Sequence, residues 1–127
     1  MPFIAVPRLA EHPPEGFSRL AIEVEIIGDD AAEKVDVALI CDDPTVRGKG
    51  RVKGKVVNFR GRSFTFHSDE EGALAGRRWY YLPQDCVDPV KAVFDVVSCD
   101  EIHIQVVVND DQKTIDGEAI SAFVSAL

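Results

Sequence analysis

Three stretches of the chain alternate apolar and polar residues with a period of two, and a half-buried β-strand is the conformation that brings such a series onto one face. They are Leu20, Ile22, Val24 and Ile26 with Glu23 and Glu25 between them, then Val35, Val37, Leu39 and Cys41, and finally Ile102, Ile104, Val106 and Val108. Turn-forming clusters close each one: Gly28-Asp29-Asp30, Asp42-Asp43-Pro44 and Asn109-Asp110-Asp111. Arg51 to Phe59 and Arg62 to Ser68 read as two further strands joined at Arg60-Gly61, with Phe64 and Phe66 on one side of the second. Trp79-Tyr80-Tyr81-Leu82 is aromatic enough for a short strand or an anchor.

Two segments follow the helical period instead. Asp88-Pro89 leads into Val90, Val93, Phe94 and Val97, which predicts a helix with Asp88 as N-cap and Pro89 at its first position. Ala119, Ile120, Phe123, Val124 and Leu127 form a narrow stripe entered through Asp116 and Glu118, acids suited to a helix N-terminus. The expectation is an α+β fold: a largely antiparallel β-sheet of about six strands with two short helices, one at the C-terminus. Alternating βα units are absent, which excludes a Rossmann-type sheet. The predicted core is Leu20, Ile22, Val24, Ile26, Val37, Leu39, Ile104, Val106, Phe123 and Val124.

Residues 1–16 carry Pro2, Pro7, Pro13 and Pro14, which argue against a helix or a central strand. They read as an extended arm along the surface, leaving 17–127 as a single α+β domain, a size usual for one core. No apolar run approaches the ~20 residues that span a bilayer, and the Met-Pro start lacks a basic leader. With three cysteines, Cys41, Cys86 and Cys99, unable to pair completely, the expectation is a cytoplasmic protein with reduced thiols and no membrane partner.

The formal charge is −8, which argues against a generally basic nucleic-acid binder. The distribution is uneven, however. Val46 to Phe66 holds seven of the 14 basic residues (Arg47, Lys49, Arg51, Lys53, Lys55, Arg60 and Arg62) and none of the 22 acids. Arg47 to Lys55 places a cation at every second position, so one extended chain would carry a ladder of charges ~6.6 Å apart over roughly 27 Å. Like charges at that spacing repel, and a bound anion would offset the repulsion. Acidic protein surfaces, a second copy of the chain and nucleic acid all fit, with Trp79 and Tyr80 among the aromatics offering contact or stacking surface. The competing role of the strip is edge protection by charged side chains.

Other chemistry is weaker in the sequence. Gly48, Gly50 and Gly54 miss both the dinucleotide fingerprint and the P-loop spacing, so no cofactor is expected. Cys86, Cys99 and His103, with Cys41 or His67, lack the close ligand pairs of structural zinc sites, and Asn109 to Glu118 misses the calcium-loop register. His67 with Asp69 and Glu70 is the one compact acid-base set. The sequence therefore predicts a non-enzymatic binding or accessory module working through the basic strip. The alternatives are an acidic inhibitor or immunity-type protein that docks on a basic partner, and a small enzyme or ligand-binding domain using His67, Asp69 and Glu70.

Overall fold

The computed structural model describes residues 2–28, 34–41, 49–52, 55–58, 63–68 and 77–127. In chain order these form β1 (Phe3–Leu9), β2 (Phe17–Ile26), β3 (Val35–Cys41), β4 (Lys49–Val52), β5 (Lys55–Asn58), β6 (Ser63–Phe66), β7 (Arg77–Pro83), α1 (Val87–Val96), β8 (Ile102–Val108), β9 (Asp111–Asp116) and α2 (Gly117–Ser125). The fold is α+β, as the periodicities predict. Two antiparallel sheets carry it, in the orders β1-β2-β7 and β6-β3-β8-β9, beside a separate β4-β5 hairpin.

Among the described residues the two sheets are joined at both margins. His67, just beyond β6, exchanges both backbone hydrogen bonds with Tyr81 of β7, at 2.9 and 2.8 Å. At the other margin the Lys113 ammonium of β9 donates to the Phe3 carbonyl of β1 and stands 5.0 Å from the centroid of the Phe3 ring, a cation-π geometry. Between these margins the alternating residues face one another. Leu20, Ile22, Val24, Tyr80 and Leu82 of the first sheet form one cluster with Val37, Leu39, Phe64, Phe66, Ile104 and Val106 of the second. Val90 and Val93 of α1 and Ile120 and Val124 of α2 complete it.

Several expectations are corrected. The proline-rich start is extended, but residues 3–9 are a strand hydrogen-bonded to β2 along its length, with Phe3 buried in the core. Pro7 is tolerated because β1 has only one ladder partner in its sheet and needs no second row of donors. The helix expected at Asp88 begins at Val87 with Cys86 as N-cap, after a 3-10 turn over Gln84–Cys86, so Pro89 sits later in the first turn, where its missing N–H still costs no helical bond. Residues 111–116 form β9, which the sequence does not announce because Ile115 is the one apolar side chain there. In α2 the buried pair is Ile120 and Val124, and Phe123 lies on the flank, half-buried.

Two local devices fix the C-terminal half. Asn109 adopts φ 53° in the two-residue connection between Val108 and Asp111, a left-handed conformation that Asn accepts more readily than most residues. It also exchanges hydrogen bonds with Lys34: its backbone N–H donates to the Lys34 carbonyl at 2.7 Å, and its Oδ1 accepts from the Lys34 N–H at 3.1 Å. Gly117 opens α2 pressed against the chain. A Cβ there would collide with the carbonyl oxygens of Cys99 and Ile102, the latter at 2.7 Å. Both are backbone atoms and cannot swing aside. Gly117→Ala should therefore lower the urea midpoint even though Ala is the better helix former by about 1 kcal/mol. In the same measurement Ile104→Ala and Ile120→Ala, both fully buried, should each cost about 2–5 kcal/mol. Midpoints equal to that of the parent would contradict this packing.

Candidate functional site

The structure divides the residues that the sequence grouped into a single basic and aromatic surface. Arg47, Lys53, Arg60 and Arg62 lie outside the described residues. Lys49 and Arg51 fall in β4, whereas Lys55 opens β5, which returns antiparallel with Lys55 opposite Val52 and Val56 opposite Arg51. The single extended ladder expected from Arg47 to Lys55 is therefore not formed, because the chain reverses between Val52 and Lys55. The hairpin lies beside α1. The expected partner strand from Arg62 is β6, which pairs with β3 instead of β5.

Trp79 and Tyr80, neighbours on β7, belong to opposite faces. Tyr80 is in the core, where its hydroxyl accepts from Arg78 at 3.3 Å. Trp79 lies on the outer face, and the β2-β7 register sets what surrounds it. Glu25 stands opposite Arg77, Glu23 opposite Trp79 and Ala21 opposite Tyr81, while β1 places Val6 across from Glu23. The Trp79 indole N–H donates to Glu23 Oε2 at 2.8 Å. The Arg8 and Arg77 guanidiniums approach Glu23 Oε1 at 3.6 and 3.9 Å, and Arg77 also reaches Glu25 at 3.6 Å. Tyr81 tilts against Trp79 with ring centroids 6.2 Å apart, and Phe17 against Tyr81 at 5.8 Å.

Glu23 corrects the simple alternation. Its side chain is 10% exposed, although the pattern places it on the solvent side of β2. Trp79 across the ladder covers it, and a buried carboxylate persists because an indole N–H and two cations face its oxygens. Nothing in the β2 sequence distinguishes Glu23 from Glu25. The available signal was the pairing of an acid-bearing strand with an aromatic and arginine-bearing one, which requires the register.

Beside this face runs a cleft of about 380 Å³, lined by Ala10, Glu11, His12, Ser68, Arg77, Arg78, Trp79 and Tyr81. It combines segments that the sequence kept apart: the connection after β1, the residue following the His67 bridge, and β7. Arg77 and the half-buried Trp79 and Tyr81 line it from one face of β7, beside Arg78, whose guanidinium is bonded to Tyr80, and none of the strip residues is among the described residues lining it. Such a surface suits an anionic, partly planar ligand, since guanidinium offers planar donors and aromatic faces stack.

A second cleft of about 440 Å³ lies at the start of α2, lined by Cys99, Asp100, Ile102, His103, Thr114, Asp116, Gly117 and Glu118. It brings together Cys99 and His103, although Cys99 lies in a 3-10 turn and not on the strand. Among the described residues no group of three or more His, Cys, Asp or Glu side chains is placed to hold a metal ion. His67 is exposed, while Asp69 and Glu70 lie outside the described residues. Among the described residues no helix is long and apolar enough to cross a membrane.

Glu23 anchors this surface, and removing it tests the arrangement. Glu23→Ala leaves the Trp79 indole N–H and the Arg8 guanidinium without this carboxylate and Arg77 with Glu25 in its place, so stability should fall by about 1–3 kcal/mol. The emission of the chain's single tryptophan should shift to the red as Trp79 is released. Denaturant unfolding followed by fluorescence reads both effects, and an unchanged emission maximum would contradict the contact.

Comparison of the chain with protein-family models, with curated proteins and with solved structures finds no match.

Proposed function

We propose that this chain is a small binding module that takes an anionic partner on the outer face of the β1-β2-β7 sheet. The observation that carries this reading is the cleft lined by Arg77, Arg78, Trp79 and Tyr81, in which Arg77 shares one face of β7 with the two aromatics, on a protein whose formal charge is −8. An acidic protein over most of its length repels anions at long range, so a local set of arginines beside fixed aromatics is the place where one can settle. The basic segment from Arg47 to Arg62 contributes attraction for the same class of partner. Its role is long-range, through charge, whereas the cleft supplies shape. An acidic protein surface, a second copy of the chain and nucleic acid all present this chemistry.

Titration calorimetry against heparin, polyglutamate and a short oligothymidylate, repeated over a salt series, tests the proposal. At least one polyanion should bind at low salt, with affinity falling as salt rises. Arg77→Gln should weaken that binding at a small cost in stability, since the guanidinium is 61% exposed and Glu23 keeps Trp79 and Arg8 as partners. Replacing Arg51, Lys53 and Lys55 together by Gln should leave the cleft intact. For a nucleic-acid ligand it should make the log-log salt slope less steep by roughly two to three. Failure of all three polyanions to bind, or preferential binding of polylysine, would overturn the reading and favour docking through the acidic faces.

A further inference from the structure

We infer that the cleft beside Trp79 is a site for unpaired nucleic acid, holding one nucleotide with its base against the indole and its phosphate at Arg77. This rests on the outer face being the working surface and adds the chemical class of the ligand. The first support is shape. A protein partner engages a broad patch of roughly 800 Å² on each side, whereas this is a concave site of about 380 Å³, at the lower end of the range for small-ligand pockets.

The second support is a preset stacking surface. Glu23 holds the Trp79 N–H at 2.8 Å, and Tyr81 flanks the indole at an interplanar angle of 41°. The ring is therefore oriented before any ligand arrives, which removes part of the ordering cost of binding. Every base has a π-face, and an aromatic platform accepts it only when the base is unpaired and unstacked from its neighbours.

The third is a cation with donors to spare. Arg77 has a side chain 61% exposed, and its contacts to Glu23 and Glu25, at 3.9 and 3.6 Å, are long compared with the roughly 2.7–2.9 Å of charge-assisted hydrogen bonds. A guanidinium carries five N–H donors, so a phosphate can bind while the carboxylates stay near. Glu11 and Ser68 also line the cleft and supply an acceptor and a hydroxyl for base edges or sugar hydroxyls. The cleft at the start of α2 offers the opposite environment, since Asp100, Asp116 and Glu118 would repel a phosphate.

The test uses the whole chain with a short fluorescein-labelled oligothymidylate, the corresponding duplex, and polyglutamate. Anisotropy reports binding, and the emission of the single tryptophan reports contact with Trp79. The single strand should bind in preference to the duplex and quench Trp79. Arg77→Gln, an exposed position that leaves Trp79 as reporter, should lose roughly tenfold in affinity or more, and Trp79→Leu should lose a similar factor by anisotropy. Should Trp79→Leu fail to fold, Arg77→Gln with the quenching signal still decides. Oligothymidylate binding that leaves Trp79 emission unchanged and survives Arg77→Gln would overturn the site. Polyglutamate binding with quenching, and no binding of oligothymidylate, would overturn the ligand class while keeping the outer face as a working surface. If neither probe binds at low salt, the nucleotide site falls, and the outer-face reading falls with it when heparin also fails to bind.

Discussion

A nearly buried carboxylate sets the outer surface of this fold. Glu23 lies on β2 with sheet neighbours on both sides, and its charge is tolerated because Trp79 donates to it while Arg8 and Arg77 stand close by. Every strand of the first sheet contributes: β1 gives Arg8, β2 gives Glu23, and β7 gives Arg77 and Trp79. A slip of β2 by one residue against both neighbours would turn Glu23 toward the apolar interior and separate it from Arg8, Arg77 and Trp79. The same interaction thus specifies register and orients the indole at the edge of the cleft. Burial of ionic groups does not by itself stabilise a fold. Here the geometry ties a structural constraint to the surface that carries the proposed function.

The core explains why that surface is steady. The two sheets are linked by the paired backbone of His67 and Tyr81 and, at the far margin, by Lys113 reaching Phe3. Tyr81 takes part in the first link and also packs against Trp79, so the sheet junction and the aromatic platform share a residue. Below it, Tyr80 and Leu82 of β7 are anchored among Ile22, Leu39 and Ile104 in one apolar cluster. A site built on a strand that is paired on both edges and packed on its inner face keeps its side chains in place more firmly than one built on a loop.

Much of the framework was legible in the sequence because burial on one face writes itself as alternation. Residues 20–26, 35–41 and 102–108 are strands where the period of two placed them, and both helices follow their apolar spacing. Two of the edge strands were illegible for the same physical reason. β9 has little to bury, and β1 carries Pro7 within it and follows Pro2, so neither produces a periodic signal. The basic ladder failed as a geometric idea because alternation along a sequence says nothing about where the chain turns back. Trp79 stood out in the sequence by its chemistry alone. Its partners Glu23, Arg8 and Arg77 are separated from one another in sequence and meet through strand pairing, which no local pattern encodes.

Division of labour by charge follows from these placements. The acids dominate the chain, and among the described residues the cleft at the start of α2 gathers several of them, while the cleft beside β7 gathers arginines and aromatics. The central claim is that ligands enter at β7. Amide chemical-shift mapping of the isotope-labelled chain during titration with a short oligothymidylate tests it most directly. The account predicts that the largest shifts fall on Glu11, His12, Ser68, Arg77 to Tyr81 and the indole N–H of Trp79. Shifts confined to Cys99 to His103 and Thr114 to Glu118, or to the β4-β5 hairpin, would contradict it.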